Sequence, residues 1–319
     1  MLKKKIIINF DSENMLIAEN DVIVKFIPSA VIRKKSETPI PTAYGDEALK
    51  KRYSLSDNEV YCTPFSNGKI IDIIGAKALF KAIFRDLYGS NHFISIFVII
   101  NGNLTDNDKN IIERVFISLG YNKIFLIPRY KLLSKLLEYN SLPIAVYCDA
   151  DITELVINKF PIEYFTIDVS KSALAENLRS KFLADNKIKL SIETSLFLAK
   201  EYCSLFPSDL TKVIADGKDT ITAQKKSVYL NAKDLYPLVS SVYSKITDLI
   251  AAVIMDSDAT FASNIVELGV LFLGSGIRIE GFEEFIYDKL HLKSIIDTDD
   301  TLLITLALHL LSENYDICE

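Results

Sequence analysis

The sequence predicts an α/β fold made of two similar domains, and three observations support this prediction. The chain has 319 residues, enough for two cores, and 49% of them are hydrophobic while 24% are charged, as in folded proteins. Strands and helices alternate along the first half, which is the order found in α/β sheets. The same outline of strand, acidic turn and hairpin occurs over 1–28 and again over 144–168, which indicates a duplicated domain.

The first repeat contains a buried strand, "KKKIIINF", the turn "DSEN", a returning strand, "MLIA", and a third strand, "VIVKFIP". Thr105 and Asp108 predict a capping box at the start of a helix, and Gly120 fits the end of that helix. The segments after the first repeat alternate between helix and strand: a helix over 75–88, a strand over 94–102, the helix after Thr105, a strand over 123–127 and a helix to about Asn140.

The second repeat reads "IAVYC", "DAD", "ITELVIN" and "KFPIEYFTI", so it has the same outline as the first. The rest of the second half is predicted from apolar spacing and turn residues. Its segments are a helical stretch over 170–203, a hairpin over 209–230, a long helix over 232–255, a strand over 268–274 with a Gly-Ser-Gly turn, and helices over 282–291 and 301–312.

Composition excludes several functional classes. The net charge of −6 disfavours nucleic acid as a partner, because phosphate binding needs a basic face. The four cysteines lack CxxC spacing, so neither a zinc site nor a disulfide framework is expected, and a reducing cytoplasm is the natural compartment. No signal peptide is evident, and the apolar windows 246–255 and 302–311 are too short to span a bilayer. We expect at most peripheral membrane contact.

The segment "AVYCDADITELVI" (145–157) places two carboxylates, Asp149 and Asp151, at the bend between two apolar strands. Asp11 lies at the corresponding bend of the first repeat. Three carboxylates could form a Mg²⁺ or Ca²⁺ site, because both ions prefer oxygen ligands. Paired acids can also act as general acid and base. A third possibility is a turn that once had another function.

Five segments, in order and with nearly unchanged spacing, resemble the actin-like ATPases and more narrowly the bacterial rod-shape actins of the MreB type. They are "PSAVI" (28–32), "YGDEAL" (44–49), "NGKIID" (67–72), "LTDNDKNIIERVFISLGYNKIFLI" (104–127) and "VLFLGSGIRIEGFEEFI" (270–286). The resemblance implies an actin-like, ribonuclease-H-like duplicated fold with a central cleft. Domain I would be 1–143 plus 297–319 with an insertion at about 29–68, and domain II would be 144–296 with an insertion at about 174–239.

The resemblance also implies two phosphate-binding turns, with the family patterns Asp-x-Gly-Thr and Asp-x-Gly-Gly-Gly-Thr. Glycine lets the backbone N–H groups of these turns approach phosphate oxygens. This chain departs from both patterns. The first turn has Asn9, Asp11 and Ser12 in place of Asp, Gly and Thr. The second has Tyr147 in place of Asp, then Asp149, Ala150, Asp151 and Ile152, and keeps only Thr153 and Glu154.

These replacements predict weak phosphate binding, since a carboxylate about 4 Å from a phosphate is repelled by roughly 4 kcal/mol at an effective dielectric of 20. The family's glutamates after the strand "FLI" are replaced by Pro128 and Arg129, and its Gly-Asp turn by Val169 and Ser170. The resemblance also implies a remnant of the family's nucleoside site, although each of its residues has an ordinary structural explanation as well. It consists of Glu193, Lys200, Gly274, Ser275 and Gly276.

We therefore expect a non-hydrolysing, actin-like scaffold or filament subunit that acts through protein–protein contacts, without catalytic residues or a bound cofactor. Two alternatives stay open: a divalent cation on Asp11, Asp149 and Asp151, or residual weak ATP binding for cell-shape filament assembly. An active ATPase or kinase is disfavoured by the electrostatics of the turns. Phe93, in "YGSNHFIS", corresponds to the family's membrane-facing loop and could contact lipid or pack in the core.

Overall fold

A computed structural model describes residues 4–19, 22–89, 94–298, 301–312 and 318. The chain divides into two compact units: Met1–Leu136 with Thr301–Glu319, called unit I here, and Leu137–Asp300, called unit II. The predicted domain boundaries, at 143/144 and 296/297, lie seven and four residues from these divisions. Phe93 lies outside the described residues, so its predicted membrane contact stays a prediction.

Up to Asn140 the described elements alternate as the sequence predicts, with an additional group of short strands between residues 31 and 70. In chain order they are β1 (Lys4–Phe10), β2 (Asn14–Glu19), β3 (Val22–Pro28), β4 (Val31–Lys34), β5 (Pro41–Tyr44), α1 (Asp46–Lys51), β6 (Glu59–Cys62), β7 (Phe65–Ser66), β8 (Lys69–Ile70), α2 (Ile73–Tyr88), β9 (Ile94–Ile100), α3 (Asp106–Ser118), β10 (Ile124–Pro128) and α4 (Arg129–Asn140).

The described elements that follow belong to unit II except the last, which belongs to unit I. They are β11 (Ile144–Cys148), β12 (Thr153–Ile157), β13 (Glu163–Ile167), α5 (Lys171–Asn186), β14 (Ile188–Lys189), α6 (Ile192–Glu201), β15 (Lys212–Asp219), β16 (Lys225–Asn231), α7 (Tyr236–Met255), α8 (Ala259–Leu268), β17 (Val270–Leu273), α9 (Phe282–Leu290), β18 (Ser294–Asp297) and α10 (Thr301–Ser312).

The main sheets of the two units have the same strand order, which confirms the predicted α/β fold with an internal duplication. Unit I has β10–β9–β1–β2–β3, and unit II has β18–β17–β11–β12–β13 when read in the same direction. In each, the first strand is parallel to one neighbour and antiparallel to the other, β2 or β12. The central strands are buried on both faces, so their sequences are continuously apolar rather than alternating.

Local chemistry explains where several elements begin and end. Thr105 Oγ1 accepts the N–H of Asp108, and the Asp108 carboxylate accepts the N–H of Thr105, so the predicted capping box of α3 is confirmed. The stretch 170–203, predicted as helical throughout, contains two helices instead. Lys187 takes a left-handed backbone conformation (φ 57°) that ends α5, and β14 follows it.

Helix α7 forms part of the core of unit II. Among the described residues it is the one helix long and apolar enough to cross a membrane by length and composition. The helix predicted over 232–255 corresponds to α7, whereas the apolar window taken from the sequence, 246–255, underestimated the length of its apolar stretch. Its buried face, which includes Val239, Tyr243, Ile246 and Ile250, packs into the main cluster of unit II. This packing is typical of a core helix.

Helix α10 is part of unit I, as expected for the last helix of the chain. Buried residues occur on most sides of this helix, and they include Leu303, Ala307 and Leu310. The Lys5 ammonium group of β1 donates a hydrogen bond to the carbonyl oxygen of Leu311 at 2.6 Å, which satisfies a carbonyl in the last turn of the helix.

Candidate functional site: two turns closed by their own carboxylates

The turn between β1 and β2 is organised around the side chain of Asp11. The Asp11 N–H donates to the carbonyl oxygen of Asn14 at 2.8 Å. Its Oδ1 atom accepts the N–H of Glu13 at 2.8 Å and the N–H of Asn14 at 2.6 Å. Asp11 is only 9% exposed. An aspartate that accepts backbone N–H groups two and three residues later is a common way to stabilise a tight turn. Ser12, next to it, is half-buried.

The turn between β11 and β12 repeats this geometry around Asp149. The Asp149 N–H donates to the carbonyl oxygen of Ile152 at 3.1 Å. Its Oδ1 atom accepts the N–H of Asp151 at 2.7 Å and the N–H of Ile152 at 2.8 Å. Asp149 is 2% exposed. The two aspartates thus hold equivalent positions in the duplicated fold and make equivalent hydrogen bonds.

These hydrogen bonds change the chemistry expected of the turns. Converging backbone N–H groups are good anion donors when glycines leave them open. In this chain Asp11 and Asp149 each hold two of these donors within their own turn. A phosphate would meet both a negative side chain and donors that already have an acceptor. The sequence predicts the charge repulsion, and the structure adds that these N–H groups already have an acceptor within the turn.

Asp151 is directed toward the start of α5. It is buried, and the Ser172 hydroxyl donates to Asp151 Oδ1 at 3.4 Å. Ser170, the N-cap of α5, accepts the N–H of Ala173 at 3.0 Å. The helix dipole at this end favours a negative charge, so the position of the Asp151 carboxylate is electrostatically favourable.

Thr153, which matches the family pattern of the second turn, has a structural role. Thr153 Oγ1 donates to the carbonyl oxygen of Val169 at 2.6 Å. Tyr147 and Glu154 face each other in the β11–β12 register, and both are buried. Thr153 therefore ties β12 to the segment that enters α5.

Arg129 joins the carboxyl ends of three neighbouring strands in unit I. Asn9 lies near the end of β1, Asn101 directly follows β9, and Arg129 directly follows β10. One guanidinium nitrogen of Arg129 donates to Asn101 Oδ1 at 2.5 Å, and another lies 3.4 Å from Asn9 Oδ1. Asn101 is a residue that the motifs did not single out, although its place after a buried parallel strand could have done so.

Arg129 also bears on catalysis. It is 1% exposed and occupies one of the two positions where the family resemblance places glutamates. A guanidinium stays protonated at any ordinary pH, so it cannot take a proton from an attacking water molecule. Arg129 therefore cannot act as the general base of a hydrolase.

The predicted nucleoside-side charges are not brought together as an ion pair. Glu193 and Lys200 are exposed on α6. Seven residues separate them, which is about 10 Å along a helix. The ammonium group of Lys200 instead lies 3.7 Å from a carboxylate oxygen of Glu201.

The Gly-Ser-Gly turn has a clear packing reason for its glycines. Gly274 has a φ of 97°, and a Cβ atom there would lie 2.2 Å from the carbonyl oxygen of Cys148. A Cβ atom on Gly276 would lie 2.4 Å from Cys148 Sγ and 2.7 Å from the carbonyl oxygen of Asp149. Ser275, between the two glycines, begins a short 3-10 turn. This segment thus packs directly on the Asp149 turn, and glycine is required whether or not a nucleoside binds.

The predicted cation site gains no support from the structure. Within the described parts of the chain, no group of three or more His, Cys, Asp or Glu side chains could hold a metal ion. Asp11 and Asp149 instead direct an oxygen into their own turns. A Mg²⁺ or Ca²⁺ site on Asp11, Asp149 and Asp151 stays an untested prediction.

Comparison with solved structures identifies the fold. The chain matches the crystal structure of MreB5 of Spiroplasma citri bound to ADP with a TM-score of 0.80, over 98% of this chain and 97% of that one. The AMPPNP-bound structure of the same protein matches with the same score, over 98% of each chain. Sequence identity is 18% in both cases, which establishes the fold alone. The chain has an MreB-like actin fold.

Two further comparisons agree with this identification. Residues 170–318 of this MreB-like chain match the family model described as MreB/Mbl protein. The MamK double helical filament matches with a TM-score of 0.73 and 13% identity, over 97% of this chain and 99% of that one. A comparison with curated protein sequences finds no match.

Proposed function

We propose that this MreB-like chain is a cytoskeletal filament subunit or scaffold that assembles without nucleotide and does not hydrolyse ATP. The observation that supports the proposal is that an aspartate in each turn accepts the backbone N–H groups of that same turn. Asp11 and Asp149 each accept two backbone N–H groups of the kind that would bind phosphate. The chain itself therefore supplies an anion in each turn.

The similar structures support the filament half of the proposal. MamK, which shares the fold, is seen as a double helical filament. MreB5, with the same fold, holds ADP or AMPPNP. Nucleotide binding is thus compatible with the fold, and the difference proposed for this chain lies in the two aspartate turns. The buried Arg129 supports the absence of hydrolysis, because it offers no general base.

The test is an assembly assay on chain stripped of nucleotide and treated with EDTA. Sedimentation and negative-stain electron microscopy would be done in buffer, with Mg-ATP and with ATPγS, each with and without liposomes. We expect equal assembly in all nucleotide conditions and no phosphate release. Assembly that requires Mg-ATP, or ATP turnover above background, would contradict the proposal and favour weak ATP binding. A chain that remains monomeric in every condition would also contradict it.

A thermal-shift series with ATP, Mg²⁺, Ca²⁺ and Mg-ATP gives an independent measurement. A ligand at 100 times its Kd stabilises the folded state by about 2.7 kcal/mol, which is a readable shift. We expect no shift with any of these ligands. A shift with a divalent ion alone would instead favour the cation alternative on Asp11, Asp149 and Asp151.

A further inference from the structure

The segment of unit II from α5 to the start of α7, residues 171–235, carries positive charge in a chain that is negative as a whole. It contains 11 Lys and Arg against 8 Asp and Glu, whereas the whole chain has a net charge of −6. Within it, β14, β15 and β16 form an antiparallel sheet with β15 in the centre. Val213 and Ala215 of β15 are buried, so the even-numbered residues of that strand lie on the outer face of the sheet.

Three lysines lie side by side across this outer face. Lys189 of β14 is the direct register partner of Lys218 of β15, and Lys218 is also the direct partner of Lys225 of β16. All three are exposed. Directly opposed residues on neighbouring strands have Cβ atoms about 4.5–5.5 Å apart on the same face, and like charges at these positions destabilise a sheet. We call these three residues the lysine row.

One lysine of the row is compensated within the chain, and the other two are not. The Lys225 ammonium group lies 2.8 Å from a carboxylate oxygen of Asp216, on the same face. Asp219, the next acid along β15, accepts two backbone N–H groups of the β15–β16 turn. Among the described residues, no carboxylate lies within ion-pair distance of Lys189 or Lys218. The row therefore keeps two uncompensated positive charges directly opposite each other.

Protection of the sheet edges explains only part of the row. Lysines on edge strands keep a sheet from pairing with another chain. This explanation applies to Lys189 and Lys225, because β14 and β16 are the outer strands of this sheet. Lys218 lies on the central strand, where there is no edge to protect and where a neutral residue would avoid both repulsions. A residue that breaks a local rule without a structural gain indicates a functional position.

We infer that the lysine row is a docking site for an acidic segment of a partner protein. Carboxylates of that segment would lie over Lys189 and Lys218 and offset the repulsion between them. The row spans two strand spacings, about 10 Å, which three or four residues of an extended peptide can follow. The inference goes beyond the proposed function, because it requires neither self-association nor the two aspartate turns.

The overall charge of the chain favours a short peptide over larger polyanions. A nucleic acid or an anionic bilayer would extend beyond the row and meet the field of a chain with a net charge of −6. A peptide segment of a few residues covers the row alone. The partner should therefore present a few carboxylates on an exposed, extended segment.

Fluorescence anisotropy with a short labelled peptide of alternating Glu and Ser tests the inference on the full chain. At low salt the unmodified chain should bind this peptide, and added salt should weaken the binding because exposed charges are screened. The row variant, Lys189→Glu with Lys218→Glu, should bind it at least about 10-fold more weakly. The matched control variant, Lys34→Glu with Lys81→Glu, makes the same change of charge on exposed lysines of unit I and should bind like the unmodified chain.

Two further measurements separate docking from a loss of folding. A peptide of alternating Lys and Ser should bind the row variant more tightly than the unmodified chain, and a misfolded variant would not gain this affinity. Lys218→Glu alone turns two repulsive cross-strand pairs into attractive ones, so the midpoint of its urea denaturation should rise while its affinity for the Glu and Ser peptide falls. A lysine with only a structural role would not give this combination.

The outcomes are clear-cut. If the Glu and Ser peptide does not bind, or if the row variant and the control variant bind it equally well, the inference is wrong. It is also wrong if a single-stranded oligonucleotide or vesicles containing phosphatidylserine bind the row more tightly than the peptide and lose that affinity in the row variant. The proposed function is tested separately by the assembly assay, since nucleotide-dependent assembly would contradict that function and leave the lysine row unaffected.

Discussion

Replacing Asp149 by alanine should destabilise unit II strongly, because it removes the acceptor of two buried N–H groups. The Oδ1 atom of Asp149 accepts the N–H of Asp151 at 2.7 Å and that of Ile152 at 2.8 Å, and the residue is 2% exposed. A buried donor left without an acceptor costs about 1–3 kcal/mol. The two donors together should lower the free energy of unfolding by about 4 kcal/mol.

The Asp149→Asn variant is the matched control. Its amide oxygen can accept the same two N–H groups without the negative charge, so we expect a loss of only about 1–2 kcal/mol. A loss of about 4 kcal/mol corresponds to a fall in melting temperature of roughly 8–16 °C for a unit of 150–250 residues. Asp11→Ala should behave similarly in unit I, where the same two bonds are made.

Urea denaturation followed by circular dichroism and tyrosine fluorescence measures these changes, since the chain has 15 tyrosines and no tryptophan. Inorganic phosphate should recover part of the lost stability in Asp149→Ala, whose turn donors are open, and leave the unmodified chain unchanged. A loss below about 1 kcal/mol in Asp149→Ala would refute the role assigned to the carboxylate. Equal stabilisation of both proteins by phosphate would refute closure of the turn.

Three further predictions follow from the described contacts. Thr105→Ala should lower the free energy of unfolding by about 1 kcal/mol, because it removes the N-cap side chain of α3. Thr105→Ser keeps a hydroxyl at this position and should retain most of that stability in the same urea assay. Gly274→Ala should lower the free energy of unfolding by more than about 3 kcal/mol, because its Cβ atom would lie 2.2 Å from the Cys148 carbonyl oxygen. Gly89→Ala is the matched control: Gly89 has a φ of 62° but no atom within 4 Å of the added Cβ, so the loss should be about 1 kcal/mol. Equal losses in the two variants would contradict the steric argument. Burial raises the pKa of the Cys148 and Cys203 thiols to about 12, so both should resist iodoacetamide at pH 8 until urea unfolds the chain. The thiols of the unfolded chain lose their protons near pH 8.5–9 and those of the folded chain do not, so the free energy of unfolding should fall as the pH rises from about 9 to 12. Rapid labelling of the folded chain by iodoacetamide would contradict the burial of these thiols.

Much of the fold follows from local patterns that are independent of tertiary contacts. The Thr105–Asp108 capping box, the continuous apolar strand at β9 and the Asn140 end of α4 all match the predictions. Local patterns fail where the elements are short. Helix α8 has ten residues, of which only Ile265 is buried among those described, and β18 has four residues that are mostly half-buried. Tertiary contacts support both elements, because α8 packs against α7, while β18 pairs with β17 and packs against α9.

The resemblance of the sequence to the actin-like ATPases implied that Asp11, Asp149, Ala150 and Asp151 replace the glycines of two phosphate-binding turns, and it predicted the charge repulsion that follows. It left the direction of the carboxylates open, so a cation site on these acids stayed an alternative to an altered turn, while an active ATPase or kinase was disfavoured. The tertiary structure decides the direction of the Asp11 and Asp149 carboxylates, because an aspartate side chain can point into its own turn or away from it. At Asp11 and Asp149 the close approach of two backbone N–H groups favours the inward position, and each turn supplies its own anion.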